Sequence, residues 1–141
     1  MNYFEAFERA VAEGCWQAVE ELLADNLSYT VEGVPFACEI AGKAAVMAAF
    51  RKSTDAFDAT MDFRMLEIQS ITRLGDDHLR VELLSGYGRE AIGAMTAPVT
   101  IEVRTDGDRV ASLRDIYDPK LTMPALGWLT TQFGDADPSY V

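Results

Sequence analysis

The chain has 141 residues, of which 49% are hydrophobic, 25% charged and 10% aromatic, a composition typical of a globular protein rather than a disordered or fibrous one. This length suits a single hydrophobic core, so we expect one domain over residues 1–141, with a tail over 134–141. Twelve Lys and Arg residues against 23 Asp and Glu residues give a formal net charge of −11, which argues against nucleic acid and anionic membranes as partners.

Other function classes are excluded by what the chain lacks. No apolar run approaches the roughly 20 residues of a membrane span, and the start "MNYFEAFERAVAEG" has acidic residues where a signal peptide has basic ones, so we expect a cytoplasmic protein. Cys15, Cys38 and the single histidine, His78, form no recognisable zinc spacing. Without a phosphate loop or nucleophile elbow either, the sequence predicts no metal and no cofactor. Any enzymatic function is then proton transfer or hydrolysis by carboxylates and tyrosines.

The first part of the chain has helical patterning. Apolar residues recur at helical spacing on both sides of Gly14, which predicts two short helices, the second ending at Asp25 and Asn26. The stretch "LSYTV", Leu27–Val31, has the β-branched and aromatic content of a strand. The alanines and the methionine of Gly42–Ser53 then favour a third helix.

The second part of the chain has period-two patterning with turn signals between the runs. The predicted strands are Met61–Arg73, His78–Tyr87, Ile92–Thr105 and Arg109–Asp118. Short links such as "LGDD" and "TDGD" predict antiparallel neighbours. The stretch "ALGWLTTQF" is either a final short helix or an apolar flap. Helices followed by a meander predict an α+β domain in which the helices cover one face of a curved sheet.

One carboxylate in the last predicted strand falls on its apolar face. On Arg109–Asp118 the odd positions Ala111, Leu113 and Tyr117 form the apolar face, and Asp115 shares their parity. A buried carboxylate needs a partner, nearby water or a raised pKa. Two interpretations stay open: a catalytic acid or base, or a structural Asp bonded to backbone amides or to an arginine.

The candidate partners of this carboxylate lie in "HLRVELL". One face of the predicted strand carries Leu79, Val81 and Leu83. The other face carries Arg80, Glu82 and Leu84. The Arg80 guanidinium presents several donors and stays ionised when desolvated, so an array of Asp115, Arg80 and Glu82 is one prediction. A solvent-facing pair of Arg80 and Glu82 is the alternative.

The order of these elements resembles that of the nuclear transport factor two-like superfamily. Within it, the chain is similar to the branch of limonene-epoxide hydrolases, SnoaL-like polyketide cyclases and ketosteroid isomerases. The resemblance covers nearly the whole chain and rests on "LLADNLSY", "AGKAAVMAAF", "LRVELL" and "VASLRDIYD" in this order. It implies a cone-shaped α+β fold, in which a mixed, mostly antiparallel sheet wraps around the N-terminal helices and encloses an apolar pocket. It also implies a homodimer.

The resemblance also implies a set of site residues. The epoxide hydrolases of this group use an Asp–Arg–Asp array, with a tyrosine and an asparagine holding the attacking water. Arg80 and Glu82 match the first pair of that array, Asp115 matches the second aspartate and Tyr29 matches the tyrosine. Two positions depart from the pattern, because Glu82 is one methylene longer than Asp, and Val31 replaces the asparagine and forms no hydrogen bond to water.

Two classes of function follow. The first is an enzyme that acts on a small apolar molecule, either as a hydrolase or as an isomerase or cyclase. In a hydrolase, ionised Asp115 takes a proton from water, neutral Glu82 protonates an epoxide oxygen and Arg80 holds both carboxyl groups. In an isomerase or cyclase, Asp115 removes a proton next to a carbonyl, and Tyr29 or Glu82 stabilises the enolate oxygen. The other class is a non-catalytic ligand-binding or dimerisation module, which the valine at position 31 favours.

The residues expected to line the pocket are aromatic or apolar, and their spacing does not determine how they converge. They are Trp16, Val31, Phe36, Phe50, Phe63, Met95, Leu126 and Trp128. The segment around Trp128 either closes the pocket mouth or packs on a partner subunit.

Overall fold

The computed structural model describes residues 2–33, 36–132, 137 and 139–141. Its helices are α1 (Tyr3–Glu13), α2 (Gln17–Leu22), α3 (Lys43–Ala56) and α4 (Pro119–Gln132), with a short 3-10 helix at Asp58–Thr60. Its strands are β1 (Leu23–Glu32), β2 (Cys38–Ala41), β3 (Phe63–Gly75), β4 (His78–Arg89), β5 (Gly93–Asp106) and β6 (Arg109–Ile116). No helix in the described part of the chain is long and apolar enough to cross a membrane.

The strands form one mixed sheet, in the order β2-β1-β6-β5-β4-β3. Strands β3 to β6 make an antiparallel meander, as their short links predict. Strand β1 inserts between β2 and β6, antiparallel to the first and parallel to the second. The parallel pair joins the N-terminal part of the chain to the end of the meander, and the α+β fold predicted from the sequence is confirmed.

The boundaries of α1 follow from local chemistry. The Asn2 side chain accepts a hydrogen bond from the Glu5 amide at 3.0 Å, and the Glu5 carboxylate accepts one from the Asn2 amide at 3.2 Å. These two bonds satisfy amide groups that have no partner within the helix. Gly14 ends the helix in the left-handed conformation, with φ at 77°.

Three elements differ from the sequence predictions. The second helix ends at Leu22 rather than at Asp25 and Asn26, which lie in β1 beside an irregularity in its pairing with β6. Their side chains are exposed there, so a polar pair does not interrupt the strand. Strand β2 was not predicted, since four residues carry little periodicity. Helix α4 is longer than the predicted segment and contains Pro124.

The sheet has an inner and an outer face. The inner face packs against α1 and α3 and carries residues such as Val81, Leu83, Val99 and Leu113, each at most 3% exposed. The outer face carries charged side chains, among them those of Arg80 and Glu82. The predicted tail over 134–141 lies partly outside the described residues, and Tyr140 from it packs against the core.

Gly33 allows β1 and the end of β6 to approach closely. Its φ is 118°, and a Cβ atom there would lie 2.9 Å from Cβ of Tyr117. We expect Gly33→Ala to lower the free energy of unfolding by about 2 kcal/mol or more, because it combines backbone strain with a steric clash.

Gly14→Ala is the matched control. Its φ of 77° is also positive, but no atom lies within 4 Å of the added Cβ. We therefore expect only the conformational cost, about 1 kcal/mol. Urea unfolding of both variants measures the difference, and equal losses would contradict the role of the contact with Tyr117.

Candidate functional site

Asp115 lies inside the protein, on the face that the period-two pattern predicts. Its side chain shares the inner face of β6 with Leu113, as does Tyr117 directly after the strand, and Asp115 is 9% exposed. The parity of the strand places it there, because alternate residues of a strand point to the same side of the sheet. The carboxylate therefore faces the helices rather than bulk solvent.

Tyr29 supplies the hydrogen bond that holds this carboxylate. The Tyr29 hydroxyl donates to Oδ2 of Asp115 at 2.8 Å, and both residues are buried. Parallel pairing of β1 with β6 sets Tyr29 opposite Leu113 and Val31 opposite Asp115. The two polar side chains thus meet across neighbouring strands, although 86 positions separate them in the chain.

A small cavity of about 50 Å³ lies beside this pair. All five tyrosines of the chain contribute to its wall. The lining residues are Tyr3, Phe4, Phe7, Tyr29, Phe50, Arg64, Leu66, Leu83, Ser85, Tyr87, Val99, Ile101, Asp115, Tyr117 and Tyr140. We call this space the inner cavity. Its wall is apolar apart from phenol groups, one serine, one arginine and one carboxylate.

Burial governs the protonation of these groups. Desolvation raises the pKa of Asp115 to about 7, and the hydrogen bond from Tyr29 opposes the rise. Burial likewise raises the pKa of the tyrosine hydroxyls, and the charge of Asp115 adds to the effect at Tyr29 and Tyr140. The site thus combines a carboxyl group that titrates near neutral pH with phenols that stay protonated there.

The predicted array of Asp115, Arg80 and Glu82 does not form. Arg80 and Glu82 lie on the outer face of β4, where Arg80 Nε donates to Glu82 Oε1 at 3.0 Å, and their side chains are 48% and 43% exposed. Their even positions are opposite in parity to Val81, which faces the core. Thr100 Oγ1 donates to the second Glu82 oxygen at 2.6 Å. The solvent-facing pair, which the sequence left as the alternative, is the observed arrangement.

Within the described part of the chain, Asp115 consequently has no cationic partner of the kind expected of Arg80. Among the ion pairs of the described residues, none involves Asp115. No group of three or more possible metal ligands occurs in the described part of the chain either. The pKa of Asp115 is therefore set by desolvation and one phenol rather than by a counter-ion.

Of the predicted pocket residues, one lines the inner cavity and four lie in or against the core. Phe50 lines the inner cavity. Val31 and Phe36 are buried in the core, and Trp16 and Trp128 pack partly buried against it. None of these four is among the lining residues.

Phe63 and Met95 lie away from the inner cavity. Phe63 pairs with Gly88, so it shares the outer face, and it is 44% exposed. Met95 is opposite Tyr87, towards the hairpin end of β5, and is partly exposed. The side chain of Leu126 lies outside the described residues.

Sequence reasoning missed several polar residues of the inner cavity. Tyr87 and Ser85 share the parity of Leu83 in β4, and the Ser85 hydroxyl donates to the Tyr87 hydroxyl at 3.0 Å. This shared parity could have identified both residues from the sequence. Tyr3 and Tyr140 come from opposite ends of the chain, and no local pattern relates them to Asp115.

Comparisons with known proteins establish the fold. Neither a protein-family model nor a curated protein sequence matches the chain. A putative isomerase from Rhodopseudomonas palustris is similar in structure, with a TM-score of 0.71 and 21% identity over 89% of this chain and 93% of that one. A protein with a ketosteroid isomerase-like fold from Catenulispora acidiphila, solved in complex with trimethylamine, has a TM-score of 0.67 and 18% identity over 89% and 92%.

A third similar structure is an epoxide hydrolase of the limonene-epoxide-hydrolase type from M. tuberculosis. Its TM-score is 0.65 and its identity 19%, over 94% of this chain and 93% of that one. The chain therefore has the nuclear transport factor two-like fold, as the resemblance implied. Sequence identities of this size establish the fold and leave the reaction open.

The raised pKa of Asp115 predicts how stability depends on pH. Below about pH 4 the carboxyl group is protonated in both the folded and the unfolded state. As the pH rises towards the folded-state pKa of about 7, the unfolded state gives up the proton first, so stability falls with pH. Across this window the loss due to Asp115 approaches about 4 kcal/mol.

Asp115→Asn isolates this contribution, because it removes the titrating group. We expect the free energy of unfolding of the variant, relative to the original protein, to increase from pH 4 to pH 7 in urea titrations. Tyr29→Phe removes a hydrogen bond that lowers the pKa of Asp115, so the upper end of the window should move to higher pH. A difference that is independent of pH would contradict the assignment.

Proposed function

We propose that the protein is a cofactor-independent acid–base enzyme that removes a proton from the carbon next to the carbonyl group of a small, largely apolar substrate. Isomerisation and cyclisation reactions both begin with this step. The observation that carries the proposal is the buried pair of Asp115 and Tyr29 beside the inner cavity, with a carboxyl pKa of about 7. A base is most effective when its pKa lies near the working pH.

The reaction uses Asp115 as the base. An ionised Oδ atom accepts the proton from carbon, the electron pair of the C–H bond forms the enolate, and negative charge moves to the carbonyl oxygen. In an isomerisation, the neutral Asp115 then returns the proton to another carbon of the same substrate. The proton is conserved and no redox partner is needed.

The phenols supply the stabilisation of the developing negative charge. Burial raises the pKa of Tyr29, Tyr87 and Tyr117, so each stays neutral and able to donate a hydrogen bond. Tyr29 is the nearest donor to the base, at 2.8 Å from Asp115. When its hydroxyl turns to the carbonyl oxygen of the substrate, Asp115 loses a hydrogen bond that lowers its pKa, and its basicity increases as the oxyanion gains a donor.

Two observations favour this reaction over epoxide hydrolysis. Arg80 and Glu82 lie on the outer face of the sheet, so the acid that a hydrolase of this type needs is not beside Asp115. Val31 stands opposite Asp115 and provides no hydrogen bond to a nucleophilic water.

The proposal predicts exchange of hydrogen for deuterium next to a carbonyl. Cyclohexanone in D₂O should exchange its α-hydrogens in the presence of the protein, as proton NMR measures. The rate should rise with pH through a midpoint near 7, because the ionised base is the active form. We expect Asp115→Asn to lower the rate by a factor of about 10² to 10⁴.

Glu82→Gln is the matched control, since it removes a carboxylate from the outer face. We expect it to exchange the ketone at the original rate. Full activity of Asp115→Asn, or hydrolysis of styrene oxide in place of ketone exchange, would contradict the proposal. Ketones that bind without exchanging would indicate a ligand-binding module instead.

A further inference from the structure

The inner cavity is too small for a substrate of ordinary size. Its volume of about 50 Å³ compares with about 30 Å³ for one water in the liquid. Binding sites for small molecules usually measure about 300 to 1,000 Å³. A substrate whose carbonyl group lies beside Asp115 therefore needs further space for the rest of its atoms.

A larger space adjoins the inner cavity. It measures about 460 Å³ and lies between α1, the short 3-10 helix and the start of β3. Its lining residues are Glu8, Val11, Ala12, Asp58, Ala59, Met61, Asp62, Arg64 and Leu66. We call it the outer chamber. Arg64 and Leu66 also line the inner cavity, so these two side chains form a common wall.

Arg64 is the principal part of this wall. Its Nε donates to Oδ1 of Asp58, and its guanidinium lies 4.4 Å from the ring centroid of Tyr87, which itself lines the inner cavity. The side chains of Arg64 and Asp58 are only 19% and 12% exposed. The ion pair thus holds a long side chain at the boundary between the two spaces.

The lining of the outer chamber carries a net negative charge. Arg64 is balanced by Asp58, and Glu8 and Asp62 add two further carboxylates to the lining. Both of these acidic residues are exposed. The lining therefore repels a ligand carboxylate and attracts an ammonium group, while Val11, Met61 and Leu66 supply apolar contact.

We propose, resting on the function proposed above, that the outer chamber is the second half of the substrate site and that Arg64 divides it from Asp115. The substrate is then an elongated carbonyl compound with an apolar far end that is neutral or bears an amine. Compounds with a carboxylate at that end are rejected. Glu8 and Asp62 together determine the charge selectivity.

The test measures binding separately from turnover. The probes are cyclohexanone and three phenylcyclohexanones that carry hydrogen, aminomethyl or carboxylate at the far end of the ring. Calorimetry gives their affinities, and NMR gives their deuterium exchange. We expect the carboxylate compound to bind about tenfold more weakly than the unsubstituted one, and the aminomethyl compound to bind at least as well.

Two pairs of variants locate the effect. Ala12→Trp fills the outer chamber, and Ala48→Trp makes the same change at another exposed helical position. We expect only the first to reduce the affinity for phenylcyclohexanone relative to cyclohexanone, by about tenfold. Glu8→Lys removes the net negative charge of the lining and should abolish the preference for the amine over the carboxylate. Glu39→Lys, an equal charge change on the exposed side of β2, should preserve it.

The outcomes separate the two proposals. If Ala12→Trp and Ala48→Trp alter the affinity ratio equally, or Glu39→Lys acts as Glu8→Lys does, the outer chamber is not the binding site. Exchange of cyclohexanone would still support Asp115 as the base in that case. If the ligands bind with the expected charge preference and none exchanges, the outer chamber is the binding site and the proposed reaction is wrong.

Discussion

The hydrogen bond from Tyr29 to Asp115 is the interaction on which the site depends. It spans 2.8 Å inside the protein, and among the described residues no ion pair supports the carboxylate. A carboxylate in such surroundings is costly when charged, so its pKa rises to about 7. The fold accepts this cost at one position of an otherwise apolar strand face. The buried carboxylate thereby lowers the stability of the fold, and in return the protein has a group that gains and loses a proton at neutral pH.

The surrounding aromatic shell maintains these conditions. Tyr29 contacts Phe50 edge to face at 5.1 Å and Tyr140 at 5.4 Å. Packed rings of this kind exclude water and leave little room to rearrange. The inner cavity is small because five tyrosines and several phenylalanines converge on it. The same packing that raises the pKa of Asp115 therefore limits the size of the molecule that can reach it. In our proposal, the outer chamber holds the rest of that molecule.

The two faces of the sheet explain why two similar charged motifs have different roles. Asp115 and the pair of Arg80 and Glu82 both lie in strands of the meander. Asp115 has the parity of the core residues Leu113 and Tyr117, whereas Arg80 and Glu82 have the parity opposite to Val81. An exposed pair of this kind contributes about 0 to 1 kcal/mol to stability. A one-residue difference in register is thus enough to separate a candidate catalytic group from a surface ion pair.

The sequence by itself determined the α+β class, the meander and the inward direction of Asp115, because these follow from hydrophobic periods within single elements. The family resemblance implied Tyr29 as a site residue, and Phe50 was predicted as a pocket residue; both line the inner cavity. The sequence did not determine β2, the parallel pairing of β1 with β6, or the convergence of Tyr3 and Tyr140 on the site. Only the tertiary structure showed that Arg80 lies on the outer face of the sheet and that Arg64 lines the inner cavity. Local periodicity gives the face of a strand on which a side chain lies, whereas the partners it meets there depend on contacts between distant parts of the chain.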